Sequence, residues 1–339
     1  MPGLVLFDLG LQDLCLDLEI GQLLAKALRL LKGEDDRPAP AAKRNVSATT
    51  VVAALRFENI ATHDGGRDEL AEDLATLERE ENLLSLIDTA LREDEFALHL
   101  QPIVSLRDEN SPLIVEVLIR LPTQEFGVLA SHDFLDTAER HGRMPAIDRW
   151  VIRNALAHFS ELHPAGARLG TCAINLSGAS IEDEGLADFI LGLIAQYGIP
   201  AQKICFEITE TVAVRNLLRV VNMIERLRDA GCLIALDDFG AGMSSFGYLK
   251  NLPVDMIKID GSFVRDLDTD PMSHTIINAI TQIGHQRGLK VVAEWVSAKH
   301  MVKSLHSLGV DYGQGFALHR PERVLFQRTG SEWRRVVGH

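Results

Sequence analysis

IALDDFGAGMSSFGYLKNLPVDMIKID, residues 234–260, is the stretch from which the fold is read. A short apolar run, 232–236, stops on two adjacent acids, Asp237 and Asp238. A loop with Gly240, Gly242, Ser244, Ser245 and Gly247 follows, and a second apolar run, 254–259, carries Lys258 near its end. Touching carboxylates, or a lysine inside an apolar strand, are costly to bury unless an opposite charge offsets them. A divalent cation supplies such an offset. A solvated Asp-Asp turn beside a snorkelling lysine would account for the same residues without chemistry. The neighbouring strands decide between the two.

From residue 96 onward, apolar runs alternate with helical patterns. The runs cover 96–106, 113–121, 169–176, 203–208, 232–236, 254–259, 289–296 and 310–312, which makes eight. Helical segments are expected over 146–162, 185–197, 216–230, 273–287 and 298–308. Repeated strand–helix units of this length predict a parallel α/β architecture, and eight of them predict a (β/α)8 barrel of the TIM type. Polar residues recur at the strand ends: Glu116 with Arg120, Asn175, Glu207 with Glu210, Asp237 with Asp238, Lys258, Glu294 and Gln314. In a barrel those ends converge on one mouth, where active sites are built. One such acid is usually a surface residue; seven successive polar strand ends are not explained by solvation. Carboxylate and amide oxygens are hard donors suited to Mg²⁺ or Mn²⁺. Four acids and an Asn can hold two cations about 3.5–4 Å apart, an arrangement suited to phosphodiester hydrolysis. A lysine beside them can orient a water, and an arginine can clamp a phosphate at two points.

Composition narrows the classes. At 339 residues the chain can hold one large barrel and a smaller piece. A net charge of −14 argues against a surface that coats DNA or RNA, but not against a small phosphorylated ligand held by cations. Cys15, Cys172, Cys205 and Cys232 form no CxxC pair and read as buried thiols in a reducing, cytoplasmic compartment. The 12 histidines show no zinc spacing. No run of 18 apolar residues predicts a membrane span, and the acidic N-terminus does not resemble a signal peptide.

The first third carries no catalytic signature. Ile20, Leu23, Leu24, Ala27, Leu28 and Leu31 predict an amphipathic helix, 33–48 a linker, 49–57 a strand and 68–94 a long charged helix. Leu70, Leu77, Leu84 and Leu91 repeat every seven residues, with Glu81 falling on the second seam position. That seam pairs with another chain or lies on the following domain; the pattern fits both. The expected division is a helical or irregular extension over 1–95, a barrel over 96–325 and a tail over 326–339.

Residues 96–321 resemble the EAL domain, the bacterial cyclic-di-GMP phosphodiesterase family. The matching strings are LQPIV (100–104), EVLIR (116–120), FLDTAERHG (134–142), NLS (175–177) and EITE (207–210), followed by DDFGAGMSSFGYLKNLPVD (237–255), KIDGSF (258–263), AEWV (293–296) and QGF (314–316). The resemblance implies a modified (β/α)8 barrel whose first strand runs antiparallel to the others. It also implies hydrolysis of cyclic-di-GMP to the linear dinucleotide with Mg²⁺ or Mn²⁺. Carried over by position, Glu116, Asn175, Glu207 and Asp237 would bind one cation, and Asp237, Asp238 and Glu294 a second. Lys258 would hold the hydrolytic water and act with Glu116 and Glu294. Gln101, Arg120 and Gln314 would contact or support substrate. Glu210 would anchor the loop over 239–248, which in the family links a homodimer interface to metal binding.

The chain departs from the family pattern. Val117 replaces the usual Ala of the signature, and Leu121 and Pro122 stand where a Trp and a His-Pro pair are usual. Ala241 and Met243 replace Thr and Tyr. AEGVE becomes AEWVS, so Trp295 adds bulk beside Glu294 that could alter the second cation site or stack on a base. None of the expected ligands is missing. The departures motivate a second reading, a cyclic-di-GMP receptor with weak or no turnover that signals to a protein partner. A third is a scaffold acting through residues 1–95. The linear product of the leading reading is pGpG.

Overall fold

The computed structural model describes residues 66–335 apart from 109, 163–168, 216, 242–246, 325, 330 and 331. The helix, linker and strand expected over 20–57, and the centre of the loop over 239–248, lie outside the described residues. The chain divides into two compact units, 1–85 and 86–339. Helix α1, Gly66–Glu93, runs through that boundary. In its last turns Ile87 and Ala90 are buried, and Arg143 clasps Asp88 through two hydrogen bonds of 2.6 and 3.0 Å.

The barrel strands follow: β1 Ala97–Ser105, β2 Leu113–Thr123, a short β3 Gly127–Leu129, then β4 Leu169–Asn175. Next come β5 Ile204–Thr209, β6 Leu233–Phe239, β7 Met256–Ile259, β8 Lys290–Ala293 and β9 Tyr312–Gly313. After β1 and β2 the helices are α2 Ser131–Arg140, α3 Met144–Ala157, α4 Gly178–Ile181 and α5 Leu186–Tyr197. They continue with α6 Glu210–Arg215, α7 Leu217–Asp229, α8 Gly261–Arg265, α9 Pro271–Gln286 and α10 Lys299–Ser307. The five expected helices and eight expected strands are all present, with ends displaced by a few residues. Helix α9 begins at Pro271 because Asp270 caps it, accepting from the Met272 and Ser273 amides, while proline suits the first helical position. Helix α2 and strand β3 were not expected. Nor was a hairpin in the tail, β11 Phe326–Thr329 with β12 Glu332–Arg335, which follows the two-residue β10 Glu322–Arg323.

Strand order around the sheet is β10-β1-β9-β8-β7-β6-β5-β4-β2-β3, and β1 also pairs with β2, which closes an eight-stranded barrel. Strand β1 runs antiparallel to both β2 and β9, whereas β2, β4, β5, β6, β7, β8 and β9 run parallel. This is the modified TIM-type barrel expected. Ile103, Ile114, Ala173, Cys205, Ala235, Met256 and Val292 form one buried cluster, with Leu233 and Tyr312 against it. Seven successive strands each send one side chain into this floor, as a filled barrel requires. Among the described residues no helix is long and apolar enough to cross a membrane.

Two loops interlock at the end of the barrel. The Val296 amide donates to the Gln314 carbonyl (2.9 Å), and the Ala317 amide to the Val296 carbonyl (3.0 Å). A Cβ on Gly315 would lie 2.3 Å from the Val296 nitrogen and 2.4 Å from its carbonyl oxygen. Gly315→Ala is therefore expected to destabilise by roughly 1–3 kcal/mol, the usual range for overpacking. Chemical denaturation of the two proteins measures it.

Candidate active site at the barrel mouth

Side chains two apart on a strand share a face. Stepping two residues along each strand from the apolar floor gives Glu116 from Ile114, Asn175 from Ala173 and Glu207 from Cys205. The same step gives Asp237 from Ala235, Lys258 from Met256, Glu294 from Val292 and Gln314 from Tyr312. On the reversed β1 the step runs backwards, from Ile103 to Gln101. One polar layer therefore lies on one apolar layer all the way round.

Lys258, on β7, is the centre of that layer and is 1% exposed. Its Nζ lies 2.8 Å from Glu207, 2.8 Å from Glu294, 3.1 Å from Asp237 and 3.6 Å from Glu116. Burial alone would pull the ammonium's pKa down, but the charges of Asp237, Glu116, Glu207 and Glu294 hold it well above its usual value. On the carboxylates burial acts in the opposite sense. Burial pushes Glu207 well up and Glu294 to about 8, with Lys258 opposing both shifts. Asp238 rises to about 6 through burial and the charges of Asp237 and Asp260. One ammonium cannot satisfy so many carboxylates, so the layer has an unmet demand for positive charge.

The amides complete the network. Glu116 accepts from Asn175 Nδ2 at 2.7 Å and from Gln314 Nε2 at 2.5 Å. Gln314 Nε2 also reaches Gln101 Oε1 at 3.4 Å, and Gln101 Nε2 donates to the His319 carbonyl at 3.0 Å. Asp238, at φ +52°, holds a left-handed conformation that an Asp adopts more readily than most residues. It brings one oxygen within 4.8 Å of oxygens from Asp237 and Glu294. Arg120 stands apart: its guanidinium bonds the Ile119 carbonyl (2.8 Å) and Ser131 Oγ (3.1 Å) at the rim. Glu210 accepts from the Gly240 amide and from the Tyr248 hydroxyl, both at 2.8 Å, and so grips the loop over 239–248 at both ends.

The donor set fits a hard divalent cation. Every donor is an oxygen, and Asp237, Asp238 and Glu294 already converge. Glu207 Oε1 and Gln314 Oε1 are buried without a hydrogen-bond partner among the described residues, a costly state for an acceptor. Three contributors escaped the sequence reading. Tyr248 lies within 237–255, but nothing local in the sequence marks it as the partner of Glu210. Asp148 on α3 is buried and accepts from the Ser177 amide at 2.8 Å, fixing the turn after Asn175. Its place on the Met144, Ile147, Asp148, Val151, Ile152 stripe was readable as a buried face. His99 lies two residues from Gln101 and shares its face, so counting by two would have found it.

The sequence profile of the EAL domain family matches residues 85–321. The chain belongs to the EAL domain family. It is 39% identical over 233 residues to the cyclic di-GMP phosphodiesterase PdeB of Shewanella oneidensis, covering 69% of this chain and 27% of that protein. To the cyclic di-GMP phosphodiesterase PdeF of Escherichia coli it is 32% identical over 243 residues, 72% of this chain and 32% of that one. The chain thus spans about a third or less of the length of these two relatives. Among solved structures, it is similar to the PaMucR phosphodiesterase in complex with c-di-GMP, at 33% identity and a TM-score of 0.66, covering 71% of this chain and 97% of that one. It is also similar to the FimX EAL domain of Pseudomonas aeruginosa bound to c-di-GMP, at 30% identity and a TM-score of 0.65, covering 71% and 96%.

The charge balance of this EAL domain generates two predictions. Lys258→Met removes the ammonium and leaves its carboxylates facing one another. In chelator this variant should lose roughly 3–5 kcal/mol, the scale for breaking a buried ion pair. Added Mg²⁺ or Mn²⁺ should raise its melting temperature more than that of the wild type, because the cation replaces the missing charge. The second concerns His99, whose pKa falls from 6.5 to about 4 through burial and then through Arg120 and Arg323. The folded state thus refuses a proton that the unfolded chain accepts, and stability is lost as pH falls from 6.5 toward 4. Urea midpoints across that window should move against the wild type relative to His99→Gln.

Proposed function

We propose that this chain hydrolyses cyclic-di-GMP to linear pGpG in bacterial second-messenger signalling, using Mg²⁺ or Mn²⁺. The observation that carries the reading is the ring of Glu116, Asn175, Glu207, Asp237 and Glu294 around Lys258 in an EAL domain. The names of PdeB and PdeF, and the c-di-GMP complexes of similar structures, support the substrate. In this reading Glu116, Asn175, Glu207 and Asp237 hold one cation, and Asp237, Asp238 and Glu294 the other. When bound, such cations stabilise charge on the attacked phosphate and lower the pKa of a bound water.

The chain's own residues do the rest. Lys258, kept charged by Asp237, Glu116, Glu207 and Glu294, orients the attacking water and meets the negative charge that builds on the phosphate. Glu116 and Glu294 fix the ammonium from two strands. Water adds to phosphorus, the bond to the 3′ oxygen breaks, and a 5′-phosphate and a 3′-hydroxyl remain on the linear product. Gln101 and Gln314, tied to each other and to Glu116, offer a fixed amide edge to the nucleotide. Arg120 at the rim supplies a planar cation for a phosphate. Glu210 holds the loop over 239–248, which begins directly after Asp238.

The remaining parts of the reading concern assembly and place. Residues 1–95 act as a dimerisation or partner-binding extension, supported by the heptad leucines along a 28-residue helix. Residues 96–325 are the catalytic barrel, and the tail over 326–339 is accessory. A cytoplasmic setting fits the free, buried Cys172, Cys205 and Cys232.

The test is to incubate the chain with cyclic-di-GMP and Mg²⁺ or Mn²⁺ and follow pGpG by chromatography, with a chelator control. Glu116→Ala should lose hydrolysis by a factor on the order of 10²–10³ or more. It should still fold, because removing one of several crowded carboxylates offsets the hydrogen bonds lost. Full hydrolysis by that variant would sink the assignment, and tight binding without hydrolysis in the wild type would make the chain a receptor.

A further inference from the structure

Trp295 is in the wrong place for a packing residue. It follows Glu294 directly, yet 63% of it is exposed. Its backbone sits at φ +52°, a conformation that a bulky side chain rarely adopts. The strain persists because both neighbours are pinned. Glu294 donates its amide to the Ile259 carbonyl at 3.4 Å, and the Val296 amide and carbonyl are both bonded to the Gln314–Ala317 turn. The path that delivers Glu294 to Lys258 therefore dictates the left-handed turn, and glycine would take it without strain. A tryptophan there adds strain and exposes apolar surface, with no core to fill. Strain of this kind gathers at ligand sites.

The ring is nevertheless held. A Cβ on Gly261 would lie 2.3 Å from Trp295 Cγ, 2.5 Å from Cδ2 and 2.7 Å from Cδ1, so the indole rests on the glycine that opens α8. One helical turn on, the Arg265 guanidinium lies 5.8 Å from the ring centroid. Gly261 and Arg265 thus brace the indole from α8, while most of its surface faces solvent. On the interlocked neighbouring loop Phe316 repeats the device, 62% exposed with Arg320 4.9 Å from its ring. Aromatic rings accompanied by arginines suit a planar, electron-rich base attached to a phosphate.

We infer that Trp295, braced by Gly261 and Arg265, is a stacking platform for one purine base of the dinucleotide whose phosphate is cleaved beside Glu294. The inference rests on the phosphodiesterase reading and names a specificity residue for it. The platform is set by this chain's own departure from glycine at that position. It ties base binding to the strand end that supplies Glu294, so a loss of stacking is felt in affinity first.

The test measures cyclic-di-GMP binding by calorimetry with Ca²⁺ present to suppress turnover, alongside hydrolysis with Mg²⁺, for the wild type, Trp295→Gly and Trp295→Phe. Trp295→Gly should weaken binding about 5- to 150-fold, the range for stacking a base on an aromatic ring. Trp295→Phe should fall between it and the wild type. The KM should rise more than kcat falls. Indole emission of the wild type should change on binding, and that change should vanish in Trp295→Phe although the nucleotide still binds. Glycine relieves the φ strain, so Trp295→Gly should melt no lower than the wild type; if it does melt lower, Trp295→Phe alone carries the comparison. Unaltered affinity in both variants, or an emission change that survives in Trp295→Phe, overturns the platform and leaves the phosphodiesterase reading intact. A wild type that neither binds nor hydrolyses cyclic-di-GMP overturns both.

Discussion

A buried ammonium ringed by carboxylates sets the terms for everything around it. Lys258 is enclosed away from bulk solvent, and so is Glu207 beside it. Neither could be buried alone, because an isolated charge in an apolar interior is prohibitively costly. Together they are tolerated, provided that β2, β5, β6, β7 and β8 deliver Glu116, Glu207, Asp237, Lys258 and Glu294 at one height. Barrel closure and strand register supply that condition. The excess of negative charge over one lysine then leaves the site receptive to cations. The same excess adds to burial in pushing Glu207 and Glu294 up, and it outweighs burial in holding Lys258 up.

The apolar floor does more than close the barrel. Ile103, Ile114, Ala173, Cys205, Ala235, Met256 and Val292 exclude water from below, so the polar layer above interacts in a low local dielectric. Small residues at Ala173 and Ala235 share the cluster with larger ones, the mixture of sizes that lets a barrel interior fill. Chemistry and packing are separated by one step of two residues along each strand, which is why they do not compete for the same positions.

Around the mouth, the loops carry conformations that packing alone would not select. Asp238 and Trp295 both hold φ +52°, and Glu210 clamps Gly240 and Tyr248. These features sit within a residue or two of Asp237, Glu294 or the loop that follows them. Strain next to charged side chains fits a site in which placement of ligands outweighs local stability. On β1 the half-buried His99 is kept neutral by burial and by the charges of Arg120 and Arg323.

Much of this was legible in the chain. Eight apolar runs separated by helical patterns determined the barrel, because strand burial follows hydrophobicity and parallel strands need crossover helices. The polar strand ends, and the strings around Asp237 and Lys258, mark the layer that carries the site. What the sequence could not decide depends on side chains meeting across strands far apart in the chain. That Lys258 contacts Glu207 and Glu294 more closely than Glu116, and that Tyr248 shares Glu210 with Gly240, are facts of register and loop path. Arg120 was read beside Glu116, yet the tertiary structure turns it to Ser131. Trp295 was visible as a departure from glycine, but only the fold showed its left-handed backbone, its rest on Gly261 and its exposed face. Local pattern reports which residues are buried, because burial follows hydrophobic period. It does not report which buried groups touch, because contact depends on the shear and closure of the whole barrel.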